Sequence, residues 1–118
     1  MHDVWKGKIM TPQERFTNAY LEAIDFTETG GKDQPATGAE LTALSHCIAL
    51  NDCANFWRAY GDLIHEARAE QAGHDFLLTR NGHGVGFWDR PEIYGTELSD
   101  QLTRASTACG EVDVEYIS

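Results

Sequence analysis

The stretch AGHDFLLTRNGHGVGFWDR, residues 72–90, decides how this chain is read. Before it, apolar residues recur at helical spacing. Within it the pattern changes to alternation around Arg80-Asn81-Gly82-His83-Gly84, and a glycine-rich turn between alternating apolar residues is a hairpin signal. With a loop from Asn81 to Gly84, Arg80 pairs with Val85, Leu78 faces Phe87, Phe76 faces Asp89, and Asp75 meets Arg90 as an opposite-charge cross-strand pair. The glycines then serve as turn residues with positive φ, Phe76, Leu78 and Phe87 seed the core, and Trp88 points with Arg90 to the opposite face.

Helices are expected on both sides of this hairpin. Thr11 is placed to cap the first, with Pro12 at its first position, Glu14 completing a capping box, and Phe16, Tyr20 and Ile24 as a buried stripe beside Ala19 and Ala23. TETGGKDQPAT, residues 27–37, reads as a surface loop. A second capping box, Thr37 with Glu40, opens a helix whose buried face is Leu41, Leu44 and Ile48, and Asn51 and Asp52 separate it from a third. The third carries Phe56, Tyr60, Leu63, Ile64 and Ala67, tolerates Gly61 as a close-contact residue and stops at Gly73. After Pro91, residues 95–110 predict a helix with Leu98, Leu102 and Ala105 inward and Gly110 as its stop. The alternating tail, with Val112, Val114 and Tyr116 on one face, predicts a strand beside the hairpin. The expected architecture is a single α+β domain over residues 1–118: three N-terminal helices, a hairpin, a further helix and a C-terminal strand, forming a small antiparallel sheet packed on helices.

Charge sets the function classes. Nine Lys and Arg face nineteen Asp and Glu, a net charge of -10, so the long-range field repels nucleic-acid backbones and acidic membrane surfaces and favours a basic partner. Cys47, Cys53 and Cys109 are odd in number and lack zinc-site spacing, and are expected as buried thiols. With no apolar run approaching a membrane span, the expectation is a soluble, cytoplasmic protein.

No catalytic signature stands out. His74, Asp75, His83 and Asp89 are the best metal cluster, but on strands His74 and His83 lie about 20 Å apart, beyond a shared ion. His65-Glu66 lacks a second helical histidine, and His46 stands alone among apolar neighbours. Ser45, His46 and Cys47 are adjacent on a helix and point apart, and NGHGVG joins two strands where a phosphate cradle needs a strand and a helix. No cofactor or metal site is therefore expected. Glu22, Asp25 and Glu28, with Asp33 and Glu40 further along, form either a solvated face or a strip imitating phosphates.

Residues 72–90, and more loosely ACGEVDVEYI, resemble a motif shared by small proteins encoded by bacteriophages and prophages. The resemblance implies a mobile-element origin and expression in a bacterial cytoplasm, and brings no catalytic residue with it. Size and acidity are similar to those of anti-CRISPR and anti-restriction proteins, an analogy of size and charge alone. The expected function is a non-enzymatic inhibitor that binds a bacterial defence effector, a CRISPR effector or restriction enzyme, through Glu22, Asp25, Glu28, Asp33, Asn81, His83, Trp88 and Arg90. One alternative is a small phage enzyme, a hydrolase or nucleotide-modifying protein, using His74, Asp75, Asn81 and His83; another is a virion component.

Overall fold

The computed structural model describes residues 10–29, 40–82, 85–112 and 116–117, with side chains described at 10–24, 42–82 and 85–112. Among these residues the chain is mostly α. Five α-helices follow in order: α1 (Pro12–Thr29), α2 (Ala43–Tyr60), α3 (Ala69–Arg80), α4 (Pro91–Tyr94) and α5 (Thr96–Ala108). Short 3-10 turns lie at Gly61–Leu63, Glu66–Arg68 and Phe87–Asp89. Extended pairing is confined to a two-residue antiparallel contact, Glu40 with Ile117 and Leu41 with Tyr116. The α+β architecture, its hairpin and its sheet are thereby overturned.

The hairpin fails because residues 69–80 form a helix buried on almost every side. Ala69, Ala72, Gly73, Asp75, Phe76, Leu77, Thr79 and Arg80 are all buried, leaving only a narrow face of Glu70, Gln71, His74 and Leu78 toward solvent, while polar Asp75, Thr79 and Arg80 on the buried side blur the helical period. The strand reading took Phe76 and Leu78 as one face of a sheet; in the structure Phe76 lies in the core and Leu78 is half-buried at its margin. The expected Asp75–Arg90 pair does form, as a contact between α3 and the segment after the 3-10 turn.

The start and buried stripe of α1 are built as its sequence predicts, but the helix runs on to Thr29, taking in the first three residues of the stretch expected as a loop. The Thr11 N–H donates to Glu14 Oε1 at 2.8 Å and the Glu14 N–H to Thr11 Oγ1 at 3.1 Å, while Phe16, Tyr20 and Ile24 are buried. α2 departs from expectation in two ways. It runs unbroken through Asn51 and Asp52, and its core face is Ser45, Ala49, Cys53 and Phe56, leaving Leu44 67% and Ile48 47% exposed. Thr37 lies outside the described residues; Thr42 caps the helix by accepting from the Ser45 N–H. The expected third helix gives way at Gly61 to 3-10 turns that expose Leu63 and Ala67 and bury Ile64. On α5 the buried positions are Ser99, Leu102 and Ser106, with Leu98 and Ala105 half-buried. Cys53 is buried as expected, whereas Cys47 and Cys109 are exposed. Val114 lies outside the described residues, and Tyr116 pairs with Leu41 and not with a hairpin. No described helix is long and apolar enough to cross a membrane.

The core is a set of stacked rings. Phe76 of α3 lies 4.1 Å from Phe56, 5.1 Å from Tyr20 and 5.7 Å from Phe16, centroid to centroid, and Phe87 extends the stack 6.0 Å beyond Phe56. α1 and α3 run in the same direction, with Arg15 reaching Glu66 at one end and Glu22 reaching His74 further along. Gly73 sets their separation. It was expected to stop a helix, but it sits inside α3, where an added Cβ would fall 2.2 Å from the Phe16 carbonyl oxygen and 2.9 Å from Ala19 Cβ.

Gly73→Ala separates packing from propensity. Helix propensity alone would stabilise this variant by up to about 1 kcal/mol. The clash with the α1 backbone reverses the sign, and urea titration is expected to show a loss of about 1–3 kcal/mol. A gain in stability would mean that the two helices are not in this close contact.

Candidate functional site

The C-terminal half of α3 fastens the remainder of the chain. Arg80 is buried, and its guanidinium donates from Nη1 to Tyr20 Oη and to Asp52 Oδ2, each at 2.8 Å, from Nε to the Gly110 carbonyl at 2.8 Å, and from Nη2 to the Cys109 carbonyl at 3.1 Å. One side chain thus joins α1, α2, α3 and the end of α5. Asn81 Oδ1 accepts from the Val112 N–H at 2.8 Å, holding the chain that follows. Thr79 Oγ1 accepts from the Phe87 N–H at 3.0 Å, and Gly86 packs so tightly there that an added Cβ would fall 2.3 Å from that hydroxyl oxygen.

A second polar cluster lies one turn earlier. Asp75 is fully buried and accepts from Tyr94 Oη at 2.8 Å, Gln71 Nε2 at 3.1 Å and Arg90 Nε at 3.4 Å. Burial pushes its carboxyl above the usual carboxylate range, against the pull of the Tyr94 hydrogen bond and the Arg90 charge. Burial also works against the Arg80 charge, but the Asp52 carboxylate prevails and keeps the guanidinium firmly protonated.

Above the Asp75 cluster an open groove of about 590 Å³ follows the α1–α3 seam, lined by Glu22, Ala23, Gln71, His74, Leu78, Val85 and Arg90. Gln71, His74 and Leu78 share one helical face. His74 Nε2 lies 3.8 Å from Glu22 Oε1, and these two residues also border a neighbouring cavity of about 230 Å³ that contains Glu70, Asn18 and Arg15. A further cavity of about 270 Å³ borders Arg80 together with Tyr20, Asp52 and Glu111, but there Arg80 is already bonded to Tyr20 and Asp52; the seam is the larger of the two.

No family model, curated protein or solved structure matches this chain.

Of the residues expected to bind a partner, Glu22 and Arg90 line the groove, and Trp88 stands half-exposed on the neighbouring 3-10 turn. Asn81 is drawn into holding Val112. Asp25 and Glu28 belong to α1 but their side chains are outside the description, and Asp33 and His83 lie outside the described residues. Of the histidine cluster, His83 lies outside the described residues. His74 and Asp75 are neighbours on a helix, one at the rim and one beneath it, and among the described residues no group of three or more His, Cys, Asp or Glu could hold a metal ion. The strand spacing that separated His74 from His83 does not apply, since a helix rises only about 1.5 Å per residue. Ser45 is buried while His46 and Cys47 are exposed, so the three point apart as expected.

The residues that sequence reasoning missed are Arg80, Asp52, Tyr20, Gln71 and Tyr94. Gln71 and Asp75 stand four apart, a spacing that becomes meaningful only once the segment is known to be helical.

These buried groups predict alkaline instability. Burial pushes the Cys53 thiol from 9.0 up to about 12 and raises the Tyr20 phenol, so the folded state holds their protons more tightly than the unfolded chain does. This contribution is complete below pH 9 and fades as pH climbs toward 12. Cys53 alone is expected to remove about 1.4 kcal/mol per pH unit in that window. Urea midpoints measured across it should fall steeply, and less steeply in Cys53→Ala; equal slopes would place the thiol in solvent.

Proposed function

We propose that the protein is a non-enzymatic binding protein that docks on a basic protein surface, and that this surface belongs to a bacterial defence effector that normally holds nucleic acid. The observation that carries this reading is the distribution of charge between inside and outside. Ten carboxylate side chains are exposed among the described residues, while Arg80 and Arg90 are turned inward to Asp52 and Asp75. Arg15 is bonded to the Met10 and Glu66 carbonyls, and Arg104 pairs with Asp100. Arg58 and Arg68 stand exposed. Arg80 and Arg90 are each matched to a carboxylate, so neither offsets the ten exposed acids, and the net charge of -10 is carried at the surface.

The same arrangement weighs against the enzyme alternative. Of the residues that alternative uses, Asp75 and Asn81 are engaged in holding one segment to another, His74 lines the groove, and His83 lies outside the described residues. A general base or nucleophile needs an open path to substrate, and Asp75 and Arg80 have little. The choice of a defence effector rests on the resemblance to phage-encoded proteins and on the analogy of size and charge.

The test is inhibition of DNA cleavage by a panel of purified CRISPR effectors and restriction enzymes, at low and at high salt. Inhibition of at least one member is expected, weakening by roughly tenfold or more as screening increases. The triple variant Glu22→Gln, Asp25→Asn, Glu28→Gln is expected to inhibit less. Absence of inhibition across the panel overturns the choice of partner, and inhibition indifferent to both salt and neutralisation overturns the electrostatic docking.

A further inference from the structure

The seam between α1 and α3 has two unlike halves. One is the groove above Asp75, whose walls include the Ala23, Leu78 and Val85 side chains, with Arg90 at its edge already matched to the Asp75 carboxylate. The other is the smaller cavity beside it, bordered by the exposed carboxylates Glu22 and Glu70, where Arg15 is occupied by backbone carbonyls. Glu22 and His74 line both, so the two cavities adjoin. An apolar recess beside two carboxylates suits a bipartite occupant. A purely anionic ligand is disfavoured by the surrounding field, and a purely apolar one leaves the carboxylates unused.

We infer that this seam receives a short segment of the basic partner, with a large apolar side chain in the Ala23–Leu78–Val85 recess and an adjacent lysine or arginine on Glu22 and Glu70. The inference rests on the proposed basic partner and adds the place and the chemistry of its anchor. A buried aromatic or aliphatic anchor beside a complementary charge is the usual composition of an interface hot spot. The position of Arg90 fixes the polarity of the segment: its basic residue must lie at the Glu22–Glu70 end, away from the guanidinium.

The probe is a capped peptide carrying one tryptophan flanked by lysines, titrated into isotopically labelled protein and followed by backbone amide NMR shifts. Two control peptides replace the tryptophan by alanine or the lysines by glutamates. The tryptophan–lysine peptide is expected to shift amides of residues 22–23, 71–78 and 85–90, and both controls to bind roughly tenfold more weakly or not at all. Val85→Glu, at an exposed position, and the pair Glu22→Gln with Glu70→Gln are each expected to weaken it by a similar factor, with circular dichroism unchanged. Shifts confined to other faces would overturn the assignment to the seam while leaving the basic-partner reading intact. Equal binding by the glutamate peptide would overturn the role of the carboxylates. No binding by either lysine peptide at low salt would count against the seam and the basic-partner reading together.

Discussion

A single buried guanidinium organises this fold. Arg80 emerges from the last turn of the central helix and gives hydrogen bonds to one side chain from each of α1 and α2 and to two carbonyls at the end of α5. Removing such a charge from water is costly unless its donors are satisfied and a counter-charge is near, and here Asp52 lies at 2.8 Å. The arrangement therefore tolerates little displacement. The Phe76 ring lies 5.5 Å below the guanidinium carbon and belongs to the aromatic stack, so the polar fastening and the apolar core share α3.

This dependence explains which parts of the fold were legible in the sequence. The start of α1 and its buried face could be read because the cap and the stripe are local: Thr11 and Glu14 bond each other, and Phe16, Tyr20 and Ile24 lie one turn apart. α3 could not, because the helical period is visible only when one face is polar and exposed. In α3 the buried positions include Gly73, Asp75, Thr79 and Arg80, which read as surface or turn residues until their long-range partners are known. α2 misled for the opposite reason. Small residues, Ser45 and Ala49, meet the core, and the larger Leu44 and Ile48 face outward, inverting the usual pattern. The Asp75–Arg90 pair was legible, but as a cross-strand contact; opposite charge identified the partners and not the backbone that carries them. Of the candidate site, Glu22 and Arg90 were foreseen, whereas the groove itself required the α1–α3 packing that Gly73 permits.

Fastening and function are linked through charge. Arg80 and Arg90 are matched to Asp52 and Asp75, so the net charge of -10 is carried by the remaining groups, ten exposed carboxylates among the described residues. The 72–90 stretch thus contributes in two ways: its buried residues hold the helices together, and its half-exposed ones, His74, Leu78, Val85 and Arg90, shape the groove that the acids adjoin. Both roles depend on α3 being a helix in the centre of the molecule.

The most direct test of this account is the stability of Arg80→Met, which retains apolar volume and removes the charge. If Arg80 is the structural hub, the variant leaves Asp52 unpaired and two carbonyls without donors, and equilibrium unfolding in urea should show a loss of about 3–5 kcal/mol. A change within about 0.5 kcal/mol, as for an ordinary surface substitution, would contradict the account and mean that Arg80 does not fasten the helices together.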